Sequence, residues 1–207
     1  ANGALGLLPG DTSAAIRHAA LEVAEGRHDA QFPVDVYQTG SGTSSNMNAN
    51  EVIAALASSS RRKVHPNDHV NLGQSSNDVV PTAIRVSAQL AVVEDLLPAL
   101  RHLRKAIDRR ARAFGRVVKT GRTHLMDAMP LTFAQEFGAW SSQLASAEAR
   151  IGDALARLRR LPIGGTAVGT GINAHPKFGD RVVRELSRLA GTRFEPAADR
   201  FEGIASQ

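Results

Sequence analysis

Apolar residues recur at intervals of three and four along three stretches of the chain, the spacing of one face of an α-helix. The first stripe, within residues 78–114, comprises Val86, Leu90, Val93, Leu97, Leu100, Leu103, Ile107 and Phe114. The second comprises Phe133, Phe137, Trp140, Leu144, Ile151, Leu155 and Leu158, and the third comprises Phe178, Val182, Leu186 and Leu189. Spacings of three, four and seven predict long helices packed in a bundle.

Proline and glycine residues mark where these helices are expected to bend, begin or end. Pro98 has no backbone donor and lies within the first stripe, so it predicts a kink or a break. The second helix is predicted to begin at Pro130, a favourable first-turn residue. The third is predicted to begin at Pro176 and to end at Gly191.

The remaining local patterns are short. Helices are predicted over residues 12–25 and 46–59, and strand signals are confined to residues 34–37 and 117–118. The predicted fold class is therefore all-α.

Four segments that a helical bundle does not require separate the predicted helices. They are rich in Gly, Ser, Thr, Asn and His, and they span residues 38–50, 64–78, 119–127 and 162–175. Loops on a rigid scaffold are where binding and catalytic residues concentrate. These segments are therefore the candidate functional regions.

The first segment places a cluster of hydroxyls just before a predicted helix: Thr39, Ser41, Thr43, Ser44 and Ser45. A helix N-terminus offers unpaired N–H groups and partial positive charge, and so binds anions. Ordinary N-capping would need a single hydroxyl. The hydroxyls beyond the one that capping needs therefore favour an anion site before this helix.

The second segment contains another donor cluster before a helix: Ser75, Ser76 and Asn77. His65 and His69 lie four apart, with Asp68 between them, which could suit a metal ion. However, Pro66 biases His65 toward extended geometry, so the two histidines need not share a helix face. We predict no metal site.

The third and fourth segments offer one acid–base candidate and one misleading motif. Histidine is the residue type most often used for acid–base chemistry near neutral pH, and His124 lies between Thr123 and Asp127. A structural role for this histidine stays open. Residues 169–174 fit the pattern G-x-G-x-x-A, but a helix and not a strand is predicted before them, so we reject dinucleotide binding.

Composition narrows the function classes. The 207 residues are 43% hydrophobic and only 4% aromatic, contain no Cys and carry a formal net charge of +5. Basic residues concentrate in residues 101–116 and 157–160 without a reading motif or stacking aromatics, so we predict a solvated or subunit-facing surface and no nucleic-acid partner. No apolar run approaches the roughly 20 residues of a membrane span. The first six residues have no basic region ahead of an apolar one, so we expect no signal peptide. We predict a cytoplasmic protein without a membrane partner.

Four stretches resemble corresponding segments of the fumarase/aspartase superfamily, and most closely those of class II fumarases. They are residues 40–52, 64–78, 121–130 and 164–176, in the family's order and at suitable intervals. The resemblance implies an all-α fold with a long central helical bundle and a small, mainly helical N-terminal portion. It places the end of the N-terminal lyase domain at 1–77 and the first half of the bundle domain at 78–207.

The same resemblance implies a reaction and a set of site residues. The reaction is reversible addition of water to fumarate, giving L-malate, in the tricarboxylic acid cycle and without a cofactor. Expected substrate-binding residues are Ser41, Thr43, Asn46, Ser75, Ser76 and Asn77. Expected catalytic residues are His124 and Thr123, supplied by another subunit of a homotetramer, and a second anion site comprises His65, Asn67 and Asp68.

The family's mobile G-S-S-x-M-P-x-K-x-N loop, which carries the serine assigned as catalytic base, has no counterpart in these residues. We therefore expect a fragment, cut at both ends from a longer chain, that is inactive alone. Three positions depart from class II fumarases: His69 where a second Asp is frequent, Gly73 where Ser is common, and Met126 where Gln is common. Two alternatives stay open: an aspartate ammonia-lyase, and a catalytically incomplete structural fragment of the fold.

Overall fold

The computed structural model describes residues 1–205 and divides into two compact units. One comprises Ala1–Val86 together with the chain from Arg159 onward, and the other comprises Ser87–Leu158. Helix predominates, with little strand, which confirms the predicted all-α class. The boundary predicted between residues 77 and 78 concerns family domains, whereas this division concerns compactness, so that boundary stays a prediction.

The first unit contains most of the shorter helices. These are α1 (Gly10–Ala24), α2 (Thr43–Ala57), the start of α3 (Ser76–Ala91), α6 (Phe178–Ala190) and α7 (Arg200–Ala205). Single turns of 3-10 helix lie at Gly3–Leu5 and Asp29–Gln31, and a π-helical turn lies at Pro66–Val70. Two short strands, β3 (Arg160–Leu161) and β4 (Glu195–Pro196), pair in parallel.

Two apolar clusters hold this unit together. The larger is formed by Leu161, Ile163, Phe178, Val183 and Phe194, with Val79 and Val86 of α3 packed against it. The smaller is formed by Ala19, Ala54, Ala57 and Val64, where small side chains let α1 and α2 approach closely. The larger cluster places the start of α3 beside the segment that precedes α6.

The second unit contains α4 (Leu97–Ala113), α5 (Phe133–Leu158) and an antiparallel hairpin of β1 (Val118–Thr123) and β2 (Met126–Thr132). The hairpin reverses the chain, so α5 runs back alongside α4. The aromatic rings of Phe114, Phe133, Phe137 and Trp140 follow one another at centroid distances of 6.5, 5.6 and 5.2 Å. Arg101 and Arg104 of α4 both reach Glu148 of α5.

The prediction that the second long helix begins at Pro130 is wrong. Pro130 lies in β2, paired with Thr120, so the predicted loop at 119–127 is largely strand. α5 begins at Phe133 because Thr132 and Gln135 form a capping box: Thr132 Oγ1 accepts from the Gln135 amide at 3.2 Å, and Gln135 Oε1 accepts from the Thr132 amide at 2.8 Å.

The strand predicted at residues 34–37 is also not formed. Residues 34–37 form an irregular, exposed segment, because Asp35 Oδ1 takes the Tyr37 amide at 2.8 Å and bends the chain. The interruption predicted at Pro98 is present directly before it, as a π-helical turn at Val92–Leu96 between α3 and α4. The third helix begins at Phe178, two residues after the predicted Pro176, and ends as predicted at Gly191, whose φ of 60° is left-handed.

Candidate functional site

The N-termini of α2 and α3 lie side by side within the first unit. Asn46 Nδ2 donates to Ser76 Oγ at 3.1 Å, which joins the first predicted binding segment to the second across 30 residues of sequence. Gly42, at φ 65°, precedes α2, and a Cβ at this position would lie 3.0 Å from Val80 Cγ2. Glycine therefore permits both the left-handed turn and the close approach to α3.

The hydroxyls of the first segment form a connected chain at the start of α2. Thr39 Oγ1 and Ser41 Oγ lie 3.2 Å apart, and Ser41 Oγ lies 3.0 Å from Thr43 Oγ1. Capping is carried out by a different residue, since Gln38 Oε1 accepts from the Ser45 amide at 3.2 Å. The hydroxyls of Ser41 and Thr43 are thus not required as caps, and the anion site stays a prediction.

The second segment divides its polar groups between capping and other contacts. Ser75 Oγ accepts from the Asn77 amide at 3.2 Å, and Asp78 Oδ1 accepts from the Ser75 amide at 3.0 Å. These reciprocal bonds cap α3. Ser75 therefore acts as a cap, whereas Ser76 Oγ, as an acceptor from Asn46, retains its own proton for donation.

Asp78 is a residue of this site that the sequence analysis did not single out. Its side chain is completely buried, and Oδ2 accepts from the amides of Gly164 at 2.9 Å and Thr166 at 2.8 Å. Burial raises the pKa of Asp78 and outweighs the amide donors, which act in the opposite direction. The only sequence signal was its place three residues after Ser75, the spacing of a capping box.

The fourth segment, residues 162–175, is bound to the second through these contacts. Besides the two amides on Asp78, Asn77 Nδ2 donates to the Ala167 carbonyl at 2.7 Å. The structure thus brings three of the four candidate segments together in one unit. Their neutral hydroxyl and amide donors suit an anionic ligand, because such donors stabilise negative charge without a cofactor.

Thr123 and His124 lie in the second unit, at the tip of the hairpin. His124 and Leu125 both have positive φ, 51° and 62°, in the tight turn between β1 and β2. Non-glycine residues rarely adopt this conformation, and at such sites strain often accompanies function. Leu125 is 98% exposed, and Arg122 Nε lies 3.4 Å from Asp127 Oδ1 across the turn.

Asn67 and Asp68 lie in the π-helical turn of the first unit, and His65 directly precedes it. His65 Nδ1 accepts from the amides of Asn67 at 3.3 Å and Asp68 at 3.2 Å, so this imidazole caps the turn. His69 Nδ1 in turn accepts from the His65 amide at 2.9 Å. The two histidines thus contact the backbone of their own turn, as the extended conformation of His65 before Pro66 allows.

Residues 1–205 contain neither a cluster of metal-binding side chains nor a membrane-spanning helix. No group of three or more His, Cys, Asp or Glu side chains in this part of the chain is placed to hold a metal ion. None of the helices described there has the length and apolar character needed to cross a membrane.

Comparison with known proteins identifies relatives along the whole chain. The family described as lyase matches residues 2–207. The class II fumarate hydratase of Xylella fastidiosa strain Temecula1 is 69% identical over 207 residues, which are 100% of this chain and 44% of that protein. The class II fumarate hydratase of Corynebacterium efficiens is 53% identical over 203 residues, 98% of this chain and 43% of that protein.

Solved structures give the same result. Recombinant class II fumarase from Schistosoma mansoni superposes with a TM-score of 0.92 at 40% identity, over 98% of this chain and 47% of that one. A fumarate lyase:delta crystallin from Brucella melitensis, bound to cobalt, gives a TM-score of 0.89 at 41% identity, over 98% of this chain and 45% of that one. The chain thus spans less than half the length of these relatives.

Proposed function

We propose that this chain, which belongs to the lyase family, is part of an enzyme that interconverts fumarate and L-malate by reversible addition of water. The observation that carries the proposal is the Asn46–Ser76 hydrogen bond, which unites two clusters of neutral donors at adjacent helix N-termini. Its setting in a chain that resembles class II fumarate hydratases from end to end supports this substrate class.

The chemistry of the reaction requires such donors. Removing a proton from the carbon next to a carboxylate places extra negative charge on that carboxylate. Fixed hydroxyl and amide donors stabilise this charge more strongly than they stabilise the ground state. We assign this role to six residues: Ser41, Thr43, Asn46, Ser75, Ser76 and Asn77. Among them, Ser75 also caps α3.

His124 is proposed as an acid–base group and Thr123 as its neighbour in the site. A histidine can donate or accept a proton near neutral pH, which the departure of hydroxide from malate requires. By resemblance, both residues reach the donors of a different subunit. We therefore propose a homotetramer with shared sites, located in the cytoplasm and serving the tricarboxylic acid cycle.

Two further assignments rest on the resemblance. His65, Asn67 and Asp68 are proposed as a second anion site, in which the imidazole Nε2 of His65 would face the ligand because its Nδ1 caps the turn. No cofactor or metal ion is assigned to the reaction.

An aspartate ammonia-lyase is the second candidate, because that reaction yields the same fumarate product on the same fold. His124 after Arg122-Thr123, and the Ser75-Ser76 pair, favour hydration. The whole purified protein should be assayed for fumarate hydration and for ammonia release from aspartate. Hydration without deamination is the expected result, and deamination without hydration would reverse the choice.

A further inference from the structure

Asp78 makes contacts that helix capping alone does not require. One oxygen completes the cap of α3 through the Ser75 amide, while the other accepts from Gly164 and Thr166, 86 and 88 residues further along the chain. A carboxylate with 0% exposure is costly unless its oxygens are satisfied. The remote amides therefore supply contacts on which burial of this group depends.

The segment that donates those amides has a backbone that needs external support. Thr166 is β-branched and has φ 56°, a conformation such residues rarely adopt, and only 4% of its surface is exposed. Gly164 has φ 90°, and a Cβ there would lie 2.8 Å from Gly179 Cα. Strained backbone of this kind persists only where its surroundings determine it, and the Asp78 carboxylate contacts both residues.

The same carboxylate borders the proposed ligand donors. Ser76 and Asn77 lie directly before Asp78 in the sequence. The Asn77 side chain also donates to the carbonyl of Ala167, which belongs to the same segment as Gly164 and Thr166. Ser76 Oγ is held by Asn46. Movement of the segment or of the cap would thus displace both Ser76 and Asn77.

We propose that Asp78 is a positioning residue, whose carboxylate clamps residues 162–174 against the start of α3 and so orients Ser76 and Asn77 toward a dicarboxylate ligand. This inference rests on the proposed function for its ligand. The clamp itself rests on the contacts of Asp78 alone.

The test compares Asp78→Asn with Asp180→Asn in the whole protein. Asparagine keeps the shape of the side chain but has only one acceptor oxygen, so its NH2 group must face either the Ser75 amide or the amides of Gly164 and Thr166. All three amides are donors, so either orientation breaks one side of the clamp. Asp180 is an exposed carboxylate in the first turn of α6, so its variant removes the same charge at a helix start without touching the clamp. Succinate, an unreactive dicarboxylate, serves as the probe.

Three quantities are measured well below the unfolding temperature: the Kd for succinate, the steady-state constants with fumarate, and hydrogen exchange of peptides covering residues 162–174. For Asp78→Asn we expect faster exchange in this segment and a rise in both Kd and KM of about 5-fold or more, the lower end of typical coupling between sites. Asp180→Asn should match the wild type. If Asp78 served stability alone, Asp78→Asn would lower the unfolding temperature and leave Kd and KM unchanged.

The outcomes separate the two proposals. Unchanged exchange in Asp78→Asn overturns the clamp, and faster exchange with unchanged Kd and KM overturns the positioning role. Absence of succinate binding and of fumarate hydration in the wild type overturns the proposed function, whatever the exchange data show.

The wild type supplies a test that does not depend on the variant folding. Because coupling between two sites is reciprocal, succinate must slow exchange in residues 162–174 if these residues orient its donors. Protection there supports the inference. A wild-type protein that binds succinate without such protection overturns it.

Discussion

Replacing Ser76 with alanine in the whole protein is expected to weaken succinate binding by about 10- to 150-fold. A hydrogen bond to a charged group is typically worth about 1.5–3 kcal/mol, and each 1.4 kcal/mol corresponds to about a factor of ten. The upper part of this range is favoured because Ser76 is only 9% exposed, so water cannot readily replace the lost hydroxyl.

The Asn46–Ser76 bond adds a second, independent expectation. Asn46 Nδ2 fixes the orientation of Ser76 Oγ at 3.1 Å, so Asn46→Ala should weaken binding partly through Ser76. In the double variant the two effects should be non-additive by about 0.5–3 kcal/mol, the range found for residues in contact. Strict additivity would show that the two side chains act separately.

The assay is calorimetric titration with succinate, accompanied by KM for fumarate. Ser142→Ala is the matched control, because it removes an exposed hydroxyl of α5 that lies outside the donor clusters. It should leave Kd within about twofold, as for most surface changes. If Ser76→Ala also changes Kd by less than twofold while remaining folded, the donor cluster does not bind the carboxylate.

Three further predictions concern catalysis, packing and pH. His124→Asn should lower kcat by roughly 10²–10⁴-fold, the range for an acid–base group, and a loss under threefold in steady-state kinetics would assign His124 a structural role. Gln89 is completely buried, and neither polar atom of its side chain has a hydrogen-bond partner within residues 1–205. Gln89→Met should therefore raise the free energy of unfolding by about 1–3 kcal/mol in denaturant titrations, whereas Gln143→Met, at an exposed position, should not. A Gln89→Met protein less stable than the wild type would contradict the unpaired amide. Burial in the folded state raises the pKa of Asp78 above its ordinary 3.8, so the folded state binds this proton more tightly than the unfolded state. The free energy of unfolding of the wild type, relative to that of Asp78→Asn, should therefore fall as pH rises from 3.8 through the raised pKa. A stability difference between the two proteins that grows with pH would refute the raised pKa.

The long helices were accessible from sequence because their signal is local and repeated. The stripe from Phe133 to Leu158 recurs over seven turns of helix, so an error at one position does not remove the pattern. Helix ends depend on single side chains and were less secure. At α5 the Thr132–Gln135 capping box, and not Pro130, sets the start, and both signals were present in the sequence.

The polar residues of the candidate site stand out in the sequence by type, but only part of their arrangement does. Ser41, Thr43 and Ser76 were proposed because hydroxyls before a helix form a recognisable pattern. Sequence alone could not place Asn46 on Ser76, since a hydrogen bond across 30 residues depends on how two helices pack.

Asp78 shows the limit of local reasoning most clearly. In the sequence it is an acidic residue in the first turn of a helix, where a carboxylate is ordinarily exposed and stabilised by the helix dipole. Its complete burial, and its bonds to amides 86 and 88 residues away, exist only after α3 and residues 162–174 have packed together. Local periodicity and the capping residues therefore determined which helices form. The hydrogen bonds among the proposed ligand-binding residues were decided by tertiary packing, because the two residues of each bond are distant in sequence.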